Sequence, residues 1–386
     1  MKYLYLFNPE NDMALANFTP YYKTTSEIIR MADELSFLPA WYATEGSIIK
    51  IAAKQRLELF RLQCQQVGII PNVEWTTDYL SMPYRVWGWN PALLYSLRQA
   101  GVAEDFLLTD EEMAKLRYLS SRQRCKEVLT YFDHLPYVCG MSQACGSLED
   151  VRSFIEVRGE TVLKAPWSGS GRGLVHVTPN HWSSSVEGWI TRIIRTQGAV
   201  IAEPYYNKVI DFAMEFSAAP EISFAGYSLF ETDMHGNYKG NLLLSNEDIE
   251  KRLVRYIPQK LLHEVCNRLI EALSVLLKKD YCGYLGVDMM ICKEEESFLI
   301  YPCVEINLRM NMGIASRIIY DRYVHPYSQG YYAVEHYSEK GAAMQFHKEM
   351  TACHPLDIEN GFIRHGYLSL TPVLDDSHYQ VYILID

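Results

Sequence analysis

A glycine-rich stretch, VLKAPWSGSGRGLVHV (Val162–Val177), constrains this chain more than any other segment. Lys164 closes one β-type run, and a second run, LVHV, follows the glycines. Glycine lets backbone N–H groups approach a phosphate closely and adopt positive φ. The order of the parts excludes three other phosphate loops. A P-loop holds its lysine inside the loop and a helix behind it. A dinucleotide turn needs G-x-G-x-x-G opening a helix, whereas glycines 169, 171 and 173 have another spacing and a strand follows. A protein kinase places its lysine after the loop and carries H-R-D and D-F-G motifs, which this chain lacks. What remains is a strand lysine ahead of a Gly/Ser flap, with a plain Gly/Ser hairpin turn as the alternative.

The segment VEINLRMNMG supplies a second constraint. Glu305, Asn307 and Arg309 stand at i, i+2 and i+4, so on a strand they share one face. A carboxylate, an amide and a guanidinium are costly to bury together unless they meet a ligand. Oxygen donors of this type suit Mg²⁺, which also takes oxygens from substrate phosphates. Asp288, in YLGVDMM on the preceding strand, would add a ligand. An exposed face with a surface ion pair is the competing reading. Pro302 removes a ladder donor from the second strand and predicts a bulge or a sheet edge.

With 386 residues the chain exceeds one compact core, and two or three domains are expected. Strands alternate with helices over residues 1–115, including a helix at 50–67 capped by Gly68, which predicts a parallel sheet with crossovers. Residues 110–133 read as one helix. Residues 258–279 form the clearest helix, with Leu262, Val265, Leu269, Leu273 and Leu276 on one stripe. Between about 160 and 330 short links predict antiparallel strands. Net charge is -11, which excludes the basic footprint of non-specific nucleic-acid binding. The nine cysteines form no C-x-x-C pair and read as reduced thiols. The opening apolar run stops at Asn8-Pro9, and no run approaches the roughly eighteen residues of a membrane span, so a cytoplasmic protein without membrane contact is expected.

Taken together, lysine, Gly/Ser flap, hinge acid, aspartate and E-x-N-x-R stand in an order over residues 116–330 that resembles the ATP-grasp superfamily. The resemblance implies an α/β architecture: an ATP-grasp fold preceded by a Rossmann-like pre-ATP-grasp domain at 1–115, with residues 331–386 packing on the second lobe. It implies ATP and Mg²⁺ as cofactors, with Mn²⁺ able to substitute. Lys164 would meet the phosphates under a flap of Ser168, Gly169, Ser170, Gly171 and Gly173. Glu203, Pro204 and Tyr205 would form the adenine and ribose hinge. Asp288, Glu305 and Asn307 would bind Mg²⁺, and Arg309 would face the transferred phosphoryl group or the substrate carboxylate. A further basic residue upstream contacts phosphate in many members, and within LSSRQRCKEVL we favour Lys126 over Arg122.

Such enzymes mostly join a carboxylate to an amine or thiol through an acyl phosphate. Small-molecule carboxylate and amine substrates are therefore implied, and a homodimer is a family expectation. A small-molecule kinase and a non-catalytic nucleotide-binding protein are the alternatives on the same scaffold. The segment NPENDMALAN, with Asn8, Glu10, Asn11 and Asp12, follows the first strand and reads either as a substrate loop or as a helix-capping turn. Acids there would suit a cationic or amino substrate. Asn311 and Gly313 are further candidates for the acyl-phosphate oxygens, and Arg172 and Arg317 are looser ones for anionic substrate groups.

Overall fold

The computed structural model describes residues 2–169, 173–180, 182–232 and 238–386. Strands β1 (Leu4–Leu6), β2 (Ile48–Lys50), β3 (Glu74–Thr76) and β4 (Tyr84–Val86) form a parallel sheet in the order β3-β2-β1-β4. Alternation along the first strand decides its packing. Leu4 and Leu6 face the core that holds the helix Pro91–Gln99, while Tyr5 and Phe7 face the core that holds the helix Gln55–Val67. The expected helix start at residue 50 is corrected: Ile48–Lys50 is a strand, and the helix begins at Gln55. Ile49 and Ile51 are both buried in the sheet core, which a helical turn would not allow.

The expected single helix over 110–133 is also corrected. It runs from Asp110 to Leu119 and breaks at Ser120-Ser121. The Ser121 hydroxyl caps a new turn by accepting from the Gln123 amide, and the Arg122 amide donates to the Pro166 carbonyl at 3.1 Å. Met113, Leu116 and Leu119 join the same core as the helix Pro91–Gln99.

Strands β5 (Gln143–Cys145), β6 (Thr161–Lys164), β7 (Leu174–Val177) and β8 (Val200–Pro204) form a small antiparallel sheet in the order β5-β8-β6-β7. Helices Leu148–Arg158 and Ser184–Gln197 cover one face through Phe154, Ile155, Ile190 and Ile193. The other face carries Lys164 and Glu203.

The third unit is a nine-stranded sheet. Its members are β9 (Lys208–Ala218), β10 (Ile222–Thr232), β11 (Tyr238–Leu243), β12 (Gly283–Glu294), β13 (Ser297–Asn307), β14 (Gly330–His336), β15 (Asp357–Glu359), β16 (Phe362–Ser369) and β17 (Tyr379–Ile385), in the order β13-β12-β9-β10-β11-β14-β17-β16-β15. The helix Gln259–Leu277 packs Leu262, Val265, Leu269 and Leu273 against Phe212, Phe216 and Leu285 on one face. The C-terminal strands extend this sheet through β14, and they also bind the first unit. Trp41 Nε1 donates to the Leu370 carbonyl at 2.6 Å, and Glu34 Oε2 accepts from the His378 and Tyr379 amides at 2.8 and 2.7 Å. No helix among the described residues is long and apolar enough to cross a membrane.

Glu34 is 3% exposed, so its removal would take a buried carboxylate acceptor from the His378 and Tyr379 amides. Glu34→Ala should lower stability by about 2–4 kcal/mol in urea unfolding; a loss under about 0.5 kcal/mol would show that the C-terminal strands do not depend on this junction.

Candidate active site

The two strands that carry the acidic motif form one long antiparallel hairpin. Asp288 lies directly opposite Glu305, and Gly286 opposite Asn307, although Met290 pairs with Tyr301. Pro302, Cys303 and Val304 therefore stand against Met289 alone. This bulge absorbs the extra length between Asp288 and Glu305 and re-aims the end of the strand. Pro302 sits in the bulge and on the sheet edge, where its missing donor costs no ladder bond. Asn307 Nδ2 donates to Asp288 Oδ2 at 3.1 Å. Glu305, Asp288 and Asn307 thus share one face, at the edge of the large sheet.

Arg122 closes the opposite wall. Its guanidinium donates to the Ala165 carbonyl at 2.8 Å, to Ser168 Oγ at 2.6 Å and to Glu305 Oε2 at 2.6 Å. Burial works against its charge, and the Glu305 carboxylate outweighs that and holds its pKa above the usual arginine value. One side chain thus ties the root of the glycine loop to the acidic edge.

Lys164 is the second cation. Its Nζ pairs with Glu203 Oε2 at 2.6 Å, because Lys164 on β6 and Glu203 on β8 are diagonal neighbours across the ladder. Both are buried, and Glu203 Oε1 has no hydrogen-bond partner. A buried acceptor left open is costly unless a ligand donor meets it. Arg309 is the third cation. It grips Asp12 with two parallel bonds, Nε to Oδ1 at 2.6 Å and Nη2 to Oδ2 at 2.7 Å, and also donates to Asn307 Oδ1 at 3.1 Å.

Glu215, on β9, is the acid that the sequence reading missed. It lies beside Gly286 in the ladder and is 1% exposed. Its Oε2 accepts from Asn311 Nδ2 at 3.0 Å. The glycines at 286 and 313 make its room: a Cβ on either would come within 2.5 Å and 2.2 Å of its carboxylate oxygens. Burial pushes the Glu215 carboxyl up to about 8. Burial and the facing Glu305 push Asp288 up to about 7.

The other sequence candidates divide. Lys126 points to solvent on the short helix Cys125–Leu129 and has no contact in the cleft; the break at Ser121 brings Arg122 there instead, which corrects our preference between the two. Ser168 binds Arg122, and Gly169 lies against Asp12, where a Cβ would meet Oδ2 at 2.6 Å. Gly173, at positive φ, closes the loop by accepting from the Ala165 amide at 2.9 Å. Ser170, Gly171 and Arg172 lie outside the described residues. Pro204 ends its strand, and Tyr205 turns outward with its amide bound to the Glu160 carbonyl at 2.8 Å, so that amide is not available to an adenine edge. Asn8 donates to the Gly88 carbonyl and Asn11 packs on Gly88 beside Asn90, so these two hold the loop together; Glu10 is partly buried. Asn311 caps the helix Met312–Tyr323, Gly313 lies in its first turn against Glu215, and Arg317 binds the Leu244 carbonyl and Asp321.

The donor set can be tested against Mg²⁺. Among the described residues no three acid, histidine or cysteine side chains form a ready-made metal cage. Two carboxylates and one amide oxygen fit a cation that completes its shell with phosphate oxygens and water.

The raised Glu215 carboxyl sets a pH dependence. Its proton is held more tightly in the folded chain than in the unfolded one, so its contribution is full below about pH 4.5 and is lost as pH rises through about 8. In Mg²⁺-free buffer, Glu215→Gln should therefore gain stability over the parent at pH 8.5 and not at pH 5. Equal urea midpoints for the two proteins at pH 8.5 would contradict the buried-acid assignment.

No family model and no curated protein matches the sequence. Solved structures do. Biotin carboxylase from Campylobacter jejuni, solved as a β,γ-ATP complex, superposes with a TM-score of 0.51 at 13% identity, over 99% of this chain and 87% of that one. N5-carboxyaminoimidazole synthetase from Staphylococcus aureus gives a TM-score of 0.50 at 10% identity, over 100% of this chain and 94% of that one. Both neighbours are ATP-grasp enzymes, and with its parallel N-terminal sheet, small antiparallel lobe and long mixed-origin sheet this chain has the ATP-grasp fold.

Proposed function

We propose that this protein is an ATP- and Mg²⁺-dependent ligase that joins a carboxylate to an amine or thiol through an acyl phosphate. One observation carries the reading: Arg122 and Lys164 lie on one wall of a cleft whose other wall presents Asp288, Glu305 and Asn307. Phosphoryl transfer needs this charge pattern, cations for the phosphate oxygens and oxygen donors for the metal, and no protein nucleophile. Mg²⁺, when bound, neutralises charge on the transferring phosphoryl group, and Asp288, Glu305 and Asn307 would hold it.

The chain's own residues do the rest. Lys164 and Arg122 exchange their carboxylate partners for phosphate oxygens. Glu203 Oε1, buried and without a hydrogen-bond partner, would accept from a nucleotide hydroxyl or amino group. Trp167, Ser168 and Gly169 border the cleft and would keep water from a labile acyl phosphate. Arg309 faces the substrate. The neighbours are named as a carboxylase, solved with β,γ-ATP, and a synthetase, which supports the ligase reading and leaves the substrate open. A net charge of -11 agrees with a cytoplasmic protein acting on small molecules.

Glu305→Gln should lower Mg²⁺-dependent ATP turnover at least tenfold, and Lys164→Ala should weaken nucleotide binding by a similar factor in calorimetry, about 1.4 kcal/mol each. Turnover of Glu305→Gln within threefold of the parent would remove the metal assignment. Incubation with ATP, a pool of small carboxylic acids and hydroxylamine should yield a hydroxamate. ADP release with a phosphorylated acceptor and no hydroxamate would make the protein a kinase; tight ATP binding with no ADP release would make it a nucleotide-binding protein only.

A further inference from the structure

A cavity of about 530 Å³ opens on the large sheet away from the cleft. That size falls within the roughly 300–1,000 Å³ of small-molecule sites. Strand alternation fixes which face it occupies. On β9, Ile210 and Phe212 share one face, while Ala213 and Glu215 share the other. Asp288 stands opposite Ala213 and so belongs to the Glu215 face. Phe212 stands opposite Leu229, and Leu229 opposite Leu242. Phe212 and Leu229 are buried in the core under the helix Gln259–Leu277, and Ile210, Leu242 and Tyr256 pack on that core. Ile210, Leu229, Leu242 and Tyr256 line the cavity. Its floor is therefore apolar, and the sheet itself separates it from Asp288 and Glu305.

The wall is cationic. Lys239, Arg252 and Arg255 line it with one acid, Glu231, while Lys208 at the mouth is paired with Asp211. Among the described residues, Lys239, Arg252, Arg255 and Glu231 make no ion pair and no side-chain hydrogen bond. The helix Asn246–Leu253, which carries Arg252 in its last turn, offers no spare acid. Glu247 and Asp248 pair with Lys251, and Asp248 also accepts from the Ser245 hydroxyl. Glu250 accepts from Gln259 and pairs with His263. Arg252 is half-buried all the same, so its charge is partly withdrawn from water without compensation.

These features select the ligand by charge and shape. Three cations against one acid leave an excess of two positive charges on the wall. A phosphate monoester carries close to two negative charges at neutral pH. Its oxygens match the planar N–H fork of arginine, and two such forks stand three positions apart. The apolar floor adds affinity for a carbon body that inorganic phosphate lacks. We infer that this cavity binds a phosphate monoester with an apolar body, its phosphate on Arg252 and Arg255 and its body on Ile210, Leu229, Leu242 and Tyr256. The inference does not depend on the ligase reading, because none of these residues belongs to the cleft.

The probes are 1-naphthyl phosphate, 1-naphthoate, 1-naphthol and inorganic phosphate, each titrated calorimetrically into the full chain. 1-Naphthyl phosphate should bind at least tenfold more tightly than each of the other three. The double variant Arg252→Ala, Arg255→Ala should erase its advantage over inorganic phosphate and keep the parent's urea midpoint, since neither arginine has a partner to lose. Inorganic phosphate or 1-naphthol bound as tightly as the ester overturns the pairing of charge with an apolar body. Equal binding of 1-naphthoate overturns the phosphate assignment. An advantage that persists in the double variant places the ester elsewhere and overturns the site. If the double variant does not fold, a crystal structure of the parent with 1-naphthyl phosphate decides: phosphate on Arg252 and Arg255 supports the inference, and phosphate on Arg122 and Lys164 alone overturns it.

Discussion

Each buried cation of the cleft is held by a carboxylate from a different part of the chain: Arg122 by Glu305, Lys164 by Glu203 and Arg309 by Asp12. The rest of the site depends on this pairing. A charge taken from water without a partner is costly, and in a buried cleft each pair holds its members in place. The same pairs are replaceable. A nucleotide brings phosphate oxygens that compete for the cations, and a divalent cation competes for the carboxylates. The cleft can thus hold its charges in their working positions without a ligand and release them when one arrives.

The pairing in turn rests on backbone geometry. Asp288 meets Glu305 only because the hairpin bulges at Pro302. Glu215 enters the sheet face only because positions 286 and 313 are glycines. Arg122 reaches the cleft only because the helix that begins at Asp110 stops at Leu119 and the Ser121 hydroxyl caps a new turn. In each case a local departure from regular structure places a charged group where regular structure would have turned it away.

Much of this was legible in the sequence, and the limits have physical causes. Glu305 and Asn307 could be placed on one strand face from local spacing alone, and Lys164 at the end of the strand before the glycines from the order of that segment. Arg122 was passed over for Lys126 because the run from 110 to 133 has helical periodicity throughout; the Ser120-Ser121 pair was the available sign of a break, since serine favours caps over helix interiors. Glu215 had a sign too, as an acid in the apolar strand FAMEFSA, but its value depends on two glycines far away in sequence. The Asp12–Arg309 pair spans 297 positions, and no local pattern reports a contact at that distance. The continuation of the large sheet into the C-terminal strands was hidden for the same reason, because β11 and β14 pair across the helical segments between them.

The most direct test of the account is a crystal structure of the full chain with Mg²⁺ and AMP-PNP. The account predicts metal density between Asp288, Glu305 and Asn307, with the Arg122 and Lys164 side chains moved from Glu305 and Glu203 onto phosphate oxygens. Nucleotide bound with both ion pairs intact, or bound away from this cleft, would contradict it.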